Sequence, residues 1–381
     1  MICSSRFLTS RVQLSPHSRN PFDRSFLIKV NIFRLEMTKG PERVIFEEPE
    51  IEQGFLGRKY FSPPKKLPHF SNLQFKEEYK TSRVHLIINP YSGKKKGTAI
   101  GEFVSKELKN SDIKVESYIT EKSDHAIKIV RDLNISEGDA IVTVGGDGTF
   151  CEVISGHMNR AAVDSKIPFG LIPAGTGNSQ ANDMEISDYM DAIGRVISGR
   201  VRLMDVAETK FFDGDKKITR YSHNLVGWGL GVDSNILAEK MRFLGPLRYD
   251  VGVLLSILRG KVRKAKCYID GHLIESDFVL LLIQNTCTGG DRLRLAPKAQ
   301  IDDGKMDLGV IYHIGRLKIL KLFNQLKAQG SHIWNPNVEF YRFKTLRIET
   351  EEPTSINIDG ENLGTTPLEI KVLPSALKVF N

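Results

Sequence analysis

The chain has 381 residues, 40% of them hydrophobic and 26% charged, and its formal net charge is +8. A chain of this length exceeds one ordinary hydrophobic core and predicts two globular domains. The basic balance suits an anionic membrane or a polyphosphate ligand. Nucleic acid is disfavoured as a partner, because the sequence lacks a base-reading basic helix, zinc-finger spacing and an aromatic RNA-binding strand.

Residues 1–82 are predicted to be a basic, partly disordered N-terminal extension. The first 35 residues carry six basic residues and several serines against the single acid Asp23, a composition typical of a mitochondrial transit peptide. A disordered basic tail and a translation start at Met37 are the alternatives. Five prolines between residues 36 and 82 predict a linker with little structure of its own.

Residues 83–200 are predicted to form an α/β domain that closes near Gly199. Strand-like and helix-like segments alternate here, which predicts a parallel sheet covered on both faces. The predicted strands are 84–88, 115–119, 140–144 and 169–172, and the predicted helices are 98–108, 124–133 and a segment that begins after Thr149.

Residues 201–381 are predicted to form a β-rich domain. The predicted strands are 201–207, 279–284, 306–312, 340–348, 355–358 and 368–372. Two helical stretches interrupt them, 236–259 with a break at Gly245-Pro246, and 316–329. The end of the chain also has a strand-like pattern and is expected to pack into this domain.

The four cysteines, Cys3, Cys151, Cys267 and Cys287, are scattered without a CxxC pair. This spacing predicts neither a disulfide framework nor a zinc site and suits a reducing, intracellular compartment. Each cysteine is expected to be a small buried apolar residue. No apolar run approaches the roughly 18–20 residues that cross a bilayer, so we expect no transmembrane segment.

The most informative segment runs from Val142 to Thr149, where an apolar strand leads into Gly145, Gly146, Asp147 and Gly148 before a helix. Glycines at a strand-to-helix turn let the backbone approach a ligand closely. The free N–H groups and the positive end of the helix dipole then favour an anion. A tight turn capped by Thr149 needs one glycine rather than three, so the pattern predicts a phosphate site.

Two further loops of small residues follow predicted strands, Asn89 to Gly93 and Pro173 to Asn178. Ligands of an open parallel sheet bind outside the carboxyl ends of its strands. The three loops are therefore predicted to meet in one cleft. The sequence has no GxxxxGK[ST] P-loop, and Gly227 to Gly231 lacks the third glycine of a dinucleotide fingerprint.

These motifs resemble those of diacylglycerol, sphingosine and ceramide kinases and their bacterial relatives. The likeness runs from about Val84 to the C-terminus and covers Asn89-Pro90 with Gly93, Gly145 to Thr149 with Glu152, Pro173 to Asn178, Gly227 to Gly229, Asp233, Glu239-Lys240, Arg242 to Tyr249, Asp302 to Asp307, Asp359 to Glu361 and Ile370 to Leu377. The resemblance implies an α/β domain of the NAD kinase and phosphofructokinase type, a β-sandwich, and an active site in the interdomain cleft.

The resemblance also implies an ATP-dependent lipid kinase that requires Mg²⁺, with a sphingoid base, ceramide or diacylglycerol as acceptor. The nucleotide-binding residues it implies are Asn89, Ser92, Thr120, Gly145, Gly146, Gly148, Thr149, Glu152, Thr176, Arg242, Arg248 and Asp359. Thr120 is equally well explained as a helix cap, and Asp359-Gly360 as a hairpin turn.

Asp147 and Glu361 are the two candidates for the general base, and the sequence does not separate them. Asp233 is the implied head-group residue, but Asn235 stands where sphingosine kinases have a second acid. Asp303, with the Lys305 carbonyl, falls where bacterial relatives bind a structural magnesium, and an acid-rich turn between strands explains Asp303 equally well. The expected partner is a lipid at a membrane surface reached from the cytoplasm, and a homodimer is left open.

Two rival functions remain at this stage. The Gly145 to Thr149 loop is shared with NAD kinases, although the Trp228 and Arg242 to Arg248 segments argue against that class. A lipid-binding protein without catalysis is the other alternative, which the presence of Asp147 and Glu152 disfavours.

Overall fold

A computed structural model describes residues 40–47, 50–53, 59–62, 77–160, 167–175, 177–245, 247–290, 293–327 and 330–381. The transit-peptide prediction for residues 1–35, Cys3 and the predicted nucleotide contact Thr176 lie outside these residues. Residues 41–381 form one compact unit.

The strands are, in chain order, β1 Glu42–Arg43, β2 Glu50–Gln53, β3 Lys59–Ser62, β4 Glu77–Glu78, β5 Arg83–Ile88, β6 Lys114–Ile119, β7 Asp139–Gly145, β8 Pro168–Pro173, β9 Arg200–Asp213, β10 Lys216–Ser222, β11 Leu225–Gly229, β12 Arg263–Ile269, β13 His272–Gln284, β14 Thr288–Gly289, β15 Leu293–Arg294, β16 Met306–Tyr312, β17 Val338–Phe343, β18 Thr345–Thr350, β19 Ser355–Ile358 and β20 Glu361–Phe380. The α-helices are α1 Gly97–Asn110, α2 His125–Asp132, α3 Asp147–Met158, α4 Ser179–Asp183, α5 Tyr189–Ser198, α6 Leu230–Lys240, α7 Leu247–Arg259 and α8 Arg316–Lys327. Short helical turns lie at Ser92–Lys95, Arg242–Leu244 and Ser331–Trp334.

The first half of the unit is a parallel sheet in the order β6-β5-β7-β8. All seven residues of β7 are buried, as expected for a strand covered by helices on both faces. Helix α1 buries Gly97, Gly101, Val104 and Leu108, an interval of three to four residues that places them on one face. The predicted α/β domain and its parallel sheet are confirmed.

The second half is antiparallel and surrounds its own core, which includes Trp228, Phe278 and Phe343. Its strands follow the order β17-β16-β13-β11-β19-β20. The predicted single run at 340–348 is two strands, β17 and β18, which separate at Lys344. The predicted β-rich fold of this half is confirmed.

Strand β20 connects the two halves. It pairs with β18, β19 and β9, and its last residues then pair in parallel with β8, Lys378 opposite Pro168 and Val379 opposite Phe169. Val379 and Phe380 are buried in the core of the first half. The chain end therefore extends the α/β sheet as well as the β-rich domain in which it was expected.

The described part of the N-terminal extension also has more structure than the linker prediction allows. Strand β1 pairs with the edge strand β17, and Phe46 packs edge-to-face on Phe340 with ring centroids 5.2 Å apart. Among the described residues, no helix has both the length and the apolar character needed to cross a membrane.

Candidate active site

The three small-residue loops touch one another at the carboxyl edge of the parallel sheet. A Cβ atom added at Gly175 would lie 2.6 Å from the Gly146 Cα, and one added at Gly93 would lie 2.7 Å from the Ala174 carbonyl oxygen. Real Cβ atoms do not approach other atoms so closely, so these positions require glycine. The predicted meeting of the loops is observed in the structure.

Hydrogen bonds join the same loops. The Asn89 side-chain amide donates to the Thr149 hydroxyl at 2.9 Å, and the Ala174 backbone N–H donates to the Gly145 carbonyl at 2.9 Å. Asn178 closes the third loop through its Oδ1, which accepts the Gly175 N–H at 2.9 Å. Hydrogen bonds and close backbone contacts thus join the loops into one continuous surface.

A cleft of about 550 Å³ opens over these loops. It brings together ten of the residues named from the sequence, Asn89, Ser92, Thr120, Gly146, Asp147, Gly148, Thr149, Glu152, Asp359 and Glu361. Gly145 lies directly behind them as the buried last residue of β7. Because Asp359 and Glu361 come from the β-rich half, the cleft lies between the two domains.

Asp147 joins two of the loops through its carboxylate. Its Oδ2 accepts the Ser179 N–H at 2.9 Å and its Oδ1 accepts the Gln180 N–H at 3.0 Å. These N–H groups belong to the first turn of α4, where backbone donors have no partner inside the helix. Each oxygen of Asp147 therefore accepts one backbone donor.

Glu361 is placed differently. It begins β20 at a hairpin whose turn residues Asp359 and Gly360 have φ values of +47° and +95°, as a two-residue hairpin turn requires. Within the described part of the chain, the Glu361 carboxylate has no hydrogen-bond partner. Burial raises the pKa of Glu361, and the negative charges of Glu152 and Asp124 add to this rise while Arg220 opposes it.

Asp359 supports that hairpin from inside the protein. Its Oδ1 accepts hydrogen bonds from the Ser222 hydroxyl at 2.9 Å and from the Leu225 N–H at 2.7 Å. Burial alone would raise the pKa of the Asp359 carboxyl, but the adjacent His223 and these hydrogen bonds hold it below its usual value. The Asp-Gly hairpin turn, which was the alternative explanation, is therefore part of the site.

Glu152 and Thr120 form another wall of the cleft. The Glu152 Oε2 accepts the Ala126 N–H of α2 at 3.2 Å, and burial raises the pKa of Glu152. Thr120 is buried and its backbone is bound to the Ile88 carbonyl. Helix α2 begins at His125 after Asp124, so the helix-cap explanation of Thr120 is wrong.

Two lysines that the sequence analysis did not select, Lys94 and Lys122, also line the cleft. Lys94 has left-handed backbone angles, as do Gly93 and Lys95 on either side. Non-glycine residues adopt this conformation at a free-energy cost and cluster at functional sites when they do. The run of three lysines after Gly93 was the sequence signal that could have identified Lys94.

Arg242, Arg248 and Asp233 are among the predicted residues that lie outside the lining of this cleft. Arg242 and Arg248 lie on the helical turn and on α7 of the β-rich half, where both approach Glu239. Asp233 accepts hydrogen bonds from the Arg263 guanidinium at 2.8 and 2.9 Å. That ion pair neutralises the carboxylate that was expected to face a lipid head group.

Asp303 and Lys305 belong to a separate cluster of acids. The Lys305 N–H donates to the Asp303 Oδ1 at 3.0 Å. The Asp205 carboxylate accepts the Gly304 and Ser375 N–H groups at 2.6 and 2.7 Å, and burial raises the pKa of Asp205 to about 6. Sequence reasoning missed Asp205, which lies about a hundred residues earlier and whose only signal was an acid inside an apolar strand.

Each half of the chain matches a family of known protein domains. Residues 83–209 match the diacylglycerol kinase catalytic domain, and residues 224–381 match the YegS C-terminal NAD kinase beta sandwich-like domain. Sphingosine kinase 1 of Arabidopsis thaliana is 28% identical over 361 residues, which cover 78% of this chain and 71% of that protein. A diacylglycerol kinase of Bacillus subtilis (strain 168) is 24% identical over 291 residues, 75% of this chain and 92% of that protein.

The fold is also found in a solved structure. The crystal structure of a diacylglycerol kinase from Bacillus anthracis str. Sterne superposes with a TM-score of 0.65 at 22% sequence identity, and the match covers 80% of this chain and 98% of that one.

Proposed function

Since the chain belongs to the lipid kinase family that shares the diacylglycerol kinase catalytic domain, we propose that it transfers the γ-phosphate of ATP to a lipid hydroxyl. The observation that carries the proposal is the contact of the three glycine loops beside Glu361 in one cleft. Phosphoryl transfer depends on positioning and charge neutralisation, and this cleft offers both.

The nucleotide phosphates are proposed to bind against the loops at Gly93, Gly146 and Gly175. Backbone N–H groups near the start of α3 donate to phosphate oxygens, and the helix dipole adds to the attraction. Lys94 and Lys122 supply positive charge from the cleft walls. Arg242 and Arg248 remain predicted phosphate contacts that depend on movement of an exposed segment.

Mg²⁺ fits the donor set of the cleft, because the Glu152 carboxylate supplies an oxygen ligand of the kind that this ion prefers. When bound, the ion would neutralise charge on the phosphates. The acid cluster at Asp205 and Asp303 has the same oxygen chemistry and is proposed as a separate structural site. The rise in the pKa of both carboxyls through burial is what a bound cation would oppose.

Glu361 is proposed as the general base and Asp147 as a positioning residue. A base acts best when no protein donor competes for its oxygens and when its pKa lies close to the working pH. Glu361 has no internal partner among the described residues and a raised pKa, whereas both oxygens of Asp147 accept backbone N–H groups. Glu361 therefore accepts the proton of the lipid hydroxyl as that oxygen attacks the γ-phosphate.

The lipid is proposed to reach the cleft from a membrane that contacts α7 and α8. Leu247, Val251, Leu254 and Leu258 follow one another at helical spacing on α7, and all but Val251 are exposed. Phe243 and Leu317 continue this apolar surface with exposures of 84% and 83%. Side chains of this kind lie exposed where a protein meets a partner or a membrane.

The positive charge of the same segments favours binding to an anionic membrane. Residues 239–262 and 316–327 carry nine lysines and arginines against two acids, so they hold most of the excess positive charge of the chain. Basic residues around an apolar helix face bind anionic lipid surfaces. A groove of about 490 Å³ lined by Leu230, Val262 and Leu317 lies beside the exposed face and is proposed to take an acyl chain.

The function is tested by incubating the purified chain with labelled ATP, Mg²⁺ and mixed micelles of sphingosine, ceramide, diacylglycerol or monoacylglycerol. Label in any lipid supports the proposal and names the acceptor. Label in NAD alone would instead indicate an NAD kinase, and lipid binding without ADP release would indicate a non-catalytic binding protein.

The membrane surface is tested by sedimentation with vesicles of phosphatidylcholine, with and without phosphatidylserine. The chain should bind the anionic vesicles more tightly. Leu254→Glu with Leu258→Glu should weaken that binding by about 10-fold or more, since each buried leucine contributes roughly 1.5–3 kcal/mol. Leu273→Glu, at an exposed leucine of β13 outside this surface, is the matched control, and equal loss in the control would reject the surface.

A further inference from the structure

A cysteine, a histidine and an aspartate meet beside the cleft, although their sequence spacing gives no sign of it. Cys151 lies on α3, His223 between β10 and β11, and Asp359 in the β19–β20 hairpin. One ligand atom from each, the Cys151 Sγ, a His223 ring nitrogen and an Asp359 carboxylate oxygen, all lie within 4.8 Å of one another. All three residues are buried.

The polar atoms of this cluster are incompletely paired. His223 is 0% exposed, and its Nδ1 lies 3.2 Å from the Asp359 Oδ2. Within the described residues its Nε2 has no hydrogen-bond partner. A buried polar atom without a partner costs free energy, and a cation that bound a His223 ring nitrogen would remove that cost.

The two oxygens of Asp359 are used unequally. Oδ1 accepts three hydrogen bonds, from the Ser222 hydroxyl and from the Asn224 and Leu225 N–H groups. Oδ2, the oxygen that faces His223, accepts the His223 backbone N–H at 3.2 Å and lies 3.2 Å from the His223 Nδ1. Oδ1 is therefore anchored by three donors, and Oδ2, opposite the imidazole, is the oxygen that a cation could bind.

We propose that Cys151, His223 and Asp359 bind one Zn²⁺ ion. Thiolate, imidazole and carboxylate are the zinc ligands of proteins, and a three-residue site leaves the fourth position to water. The Cys151 thiol, which now donates to the Tyr221 carbonyl at 3.4 Å, loses its proton to solvent as the Zn–S bond forms. Mg²⁺ prefers an all-oxygen site, so the ion used in phosphoryl transfer does not compete here.

The position of this site links zinc to the cleft. Asp359 lines the cleft as well as the cluster, which gives an ion a path from solvent. Cys151 directly precedes Glu152, and Asp359 is two residues before Glu361. A zinc ion that draws Asp359 toward Cys151 therefore restrains the hairpin that carries Glu361, and we expect micromolar Zn²⁺ to slow any reaction in the cleft.

The test begins with metal binding, which does not depend on the proposed kinase activity. The full chain carrying Cys3→Ser is reduced, stripped with a chelator and titrated with Co²⁺. One equivalent should produce the near-ultraviolet absorption of a thiolate–cobalt bond, and Zn²⁺ should displace it. Cys151→Ser should abolish the band and weaken Zn²⁺ binding by on the order of 100-fold, since a ligand is removed. Cys267→Ser and Cys287→Ser, at other buried cysteines, should leave both unchanged.

X-ray absorption at the zinc edge of the unmutated chain keeps the proposal testable if Cys151→Ser does not fold. One sulfur at about 2.3 Å, with nitrogen and oxygen neighbours, is expected. Coordination by nitrogen and oxygen alone, or a cobalt–thiolate band that survives Cys151→Ser, would overturn the proposal.

Discussion

Replacing Glu361 and Asp147 by their amides separates the two candidates for the general base. Glu361→Gln removes the proton acceptor but no hydrogen bond within the described residues, so kcat should fall by roughly 10²–10⁴-fold. The free energy of unfolding should not fall, because burial and the nearby Glu152 charge disfavour the ionised form of Glu361.

Asp147→Asn should behave in the opposite way. The carboxylate accepts two backbone N–H groups at 2.9 and 3.0 Å, and an amide turns one acceptor into a donor that faces another donor. Hydrogen bonds to charged groups contribute roughly 1.5–3 kcal/mol each, so the variant should lose about 2–3 kcal/mol of unfolding free energy. The KM for ATP should rise because Asp147 no longer holds the Gly146 loop against the first turn of α4.

Both variants are measured by steady-state transfer of labelled phosphate to the best lipid of the panel and by urea unfolding. Glu369→Gln is the control, because Glu369 lies on the same strand and pairs with Lys217 at the surface. If Asp147→Asn loses kcat at unchanged stability while Glu361→Gln keeps near-normal turnover, Asp147 is the base and the assignment of Glu361 is refuted.

Three further changes follow from local geometry and ionisation. Gly175→Ala should cost about 1–3 kcal/mol in urea unfolding and weaken ATP binding, because its Cβ would lie 2.6 Å from the Gly146 Cα. Gly194→Ala, with open space around it, should be neutral or stabilising. Equal effects of the two substitutions would contradict this reasoning. Burial raises the pKa of Asp183 to about 7, so its contribution to stability is present at low pH and is lost as the pH rises toward 7. Between pH 5 and pH 8, Asp183→Asn should therefore lose about 2–3 kcal/mol less unfolding free energy than the parent chain loses. Identical pH profiles of the two proteins would refute the burial argument. Burial lowers the pKa of His332 to about 4, so its contribution to stability is present above pH 6.5 and is lost as the pH falls. His332→Gln should remove roughly 3 kcal/mol of the loss in unfolding free energy between pH 7 and pH 4.5. An unchanged acid profile would count against this prediction.

Much of the fold could be predicted because local sequence pattern and final environment agree. Strands such as 306–312 and 355–358 were predicted with the observed bounds, since apolar alternation and turn residues define them directly. The 340–348 run was not resolved into two strands, because Lys344 is an ordinary residue and the break is marked by distant contacts, the hydrogen bonds of the Lys344 and Thr345 N–H groups to the Asp270 carboxylate.

The candidate site was partly predictable for the same reason. The glycine loops are local signals, and parallel topology obliges strand ends to meet at one edge of a sheet. By contrast, the choice between Asp147 and Glu361 depends on which carboxylate the backbone already occupies. That contact links Asp147 to residues some thirty positions later, and no spacing rule reveals it.

The sequence by itself predicted an α/β half followed by a β-rich half, three small-residue loops at strand ends and a resemblance to lipid kinases, because each of these rests on contiguous residues. Only the tertiary structure decided that Lys94 and Lys122 line the cleft, that Arg263 neutralises Asp233 and that Cys151 meets His223 and Asp359. The physical reason is that charge pairing and metal ligation act over a few ångströms in space. Along the chain, Cys151 is about seventy residues from His223 and more than two hundred from Asp359. Such separations carry no information about the distance in space.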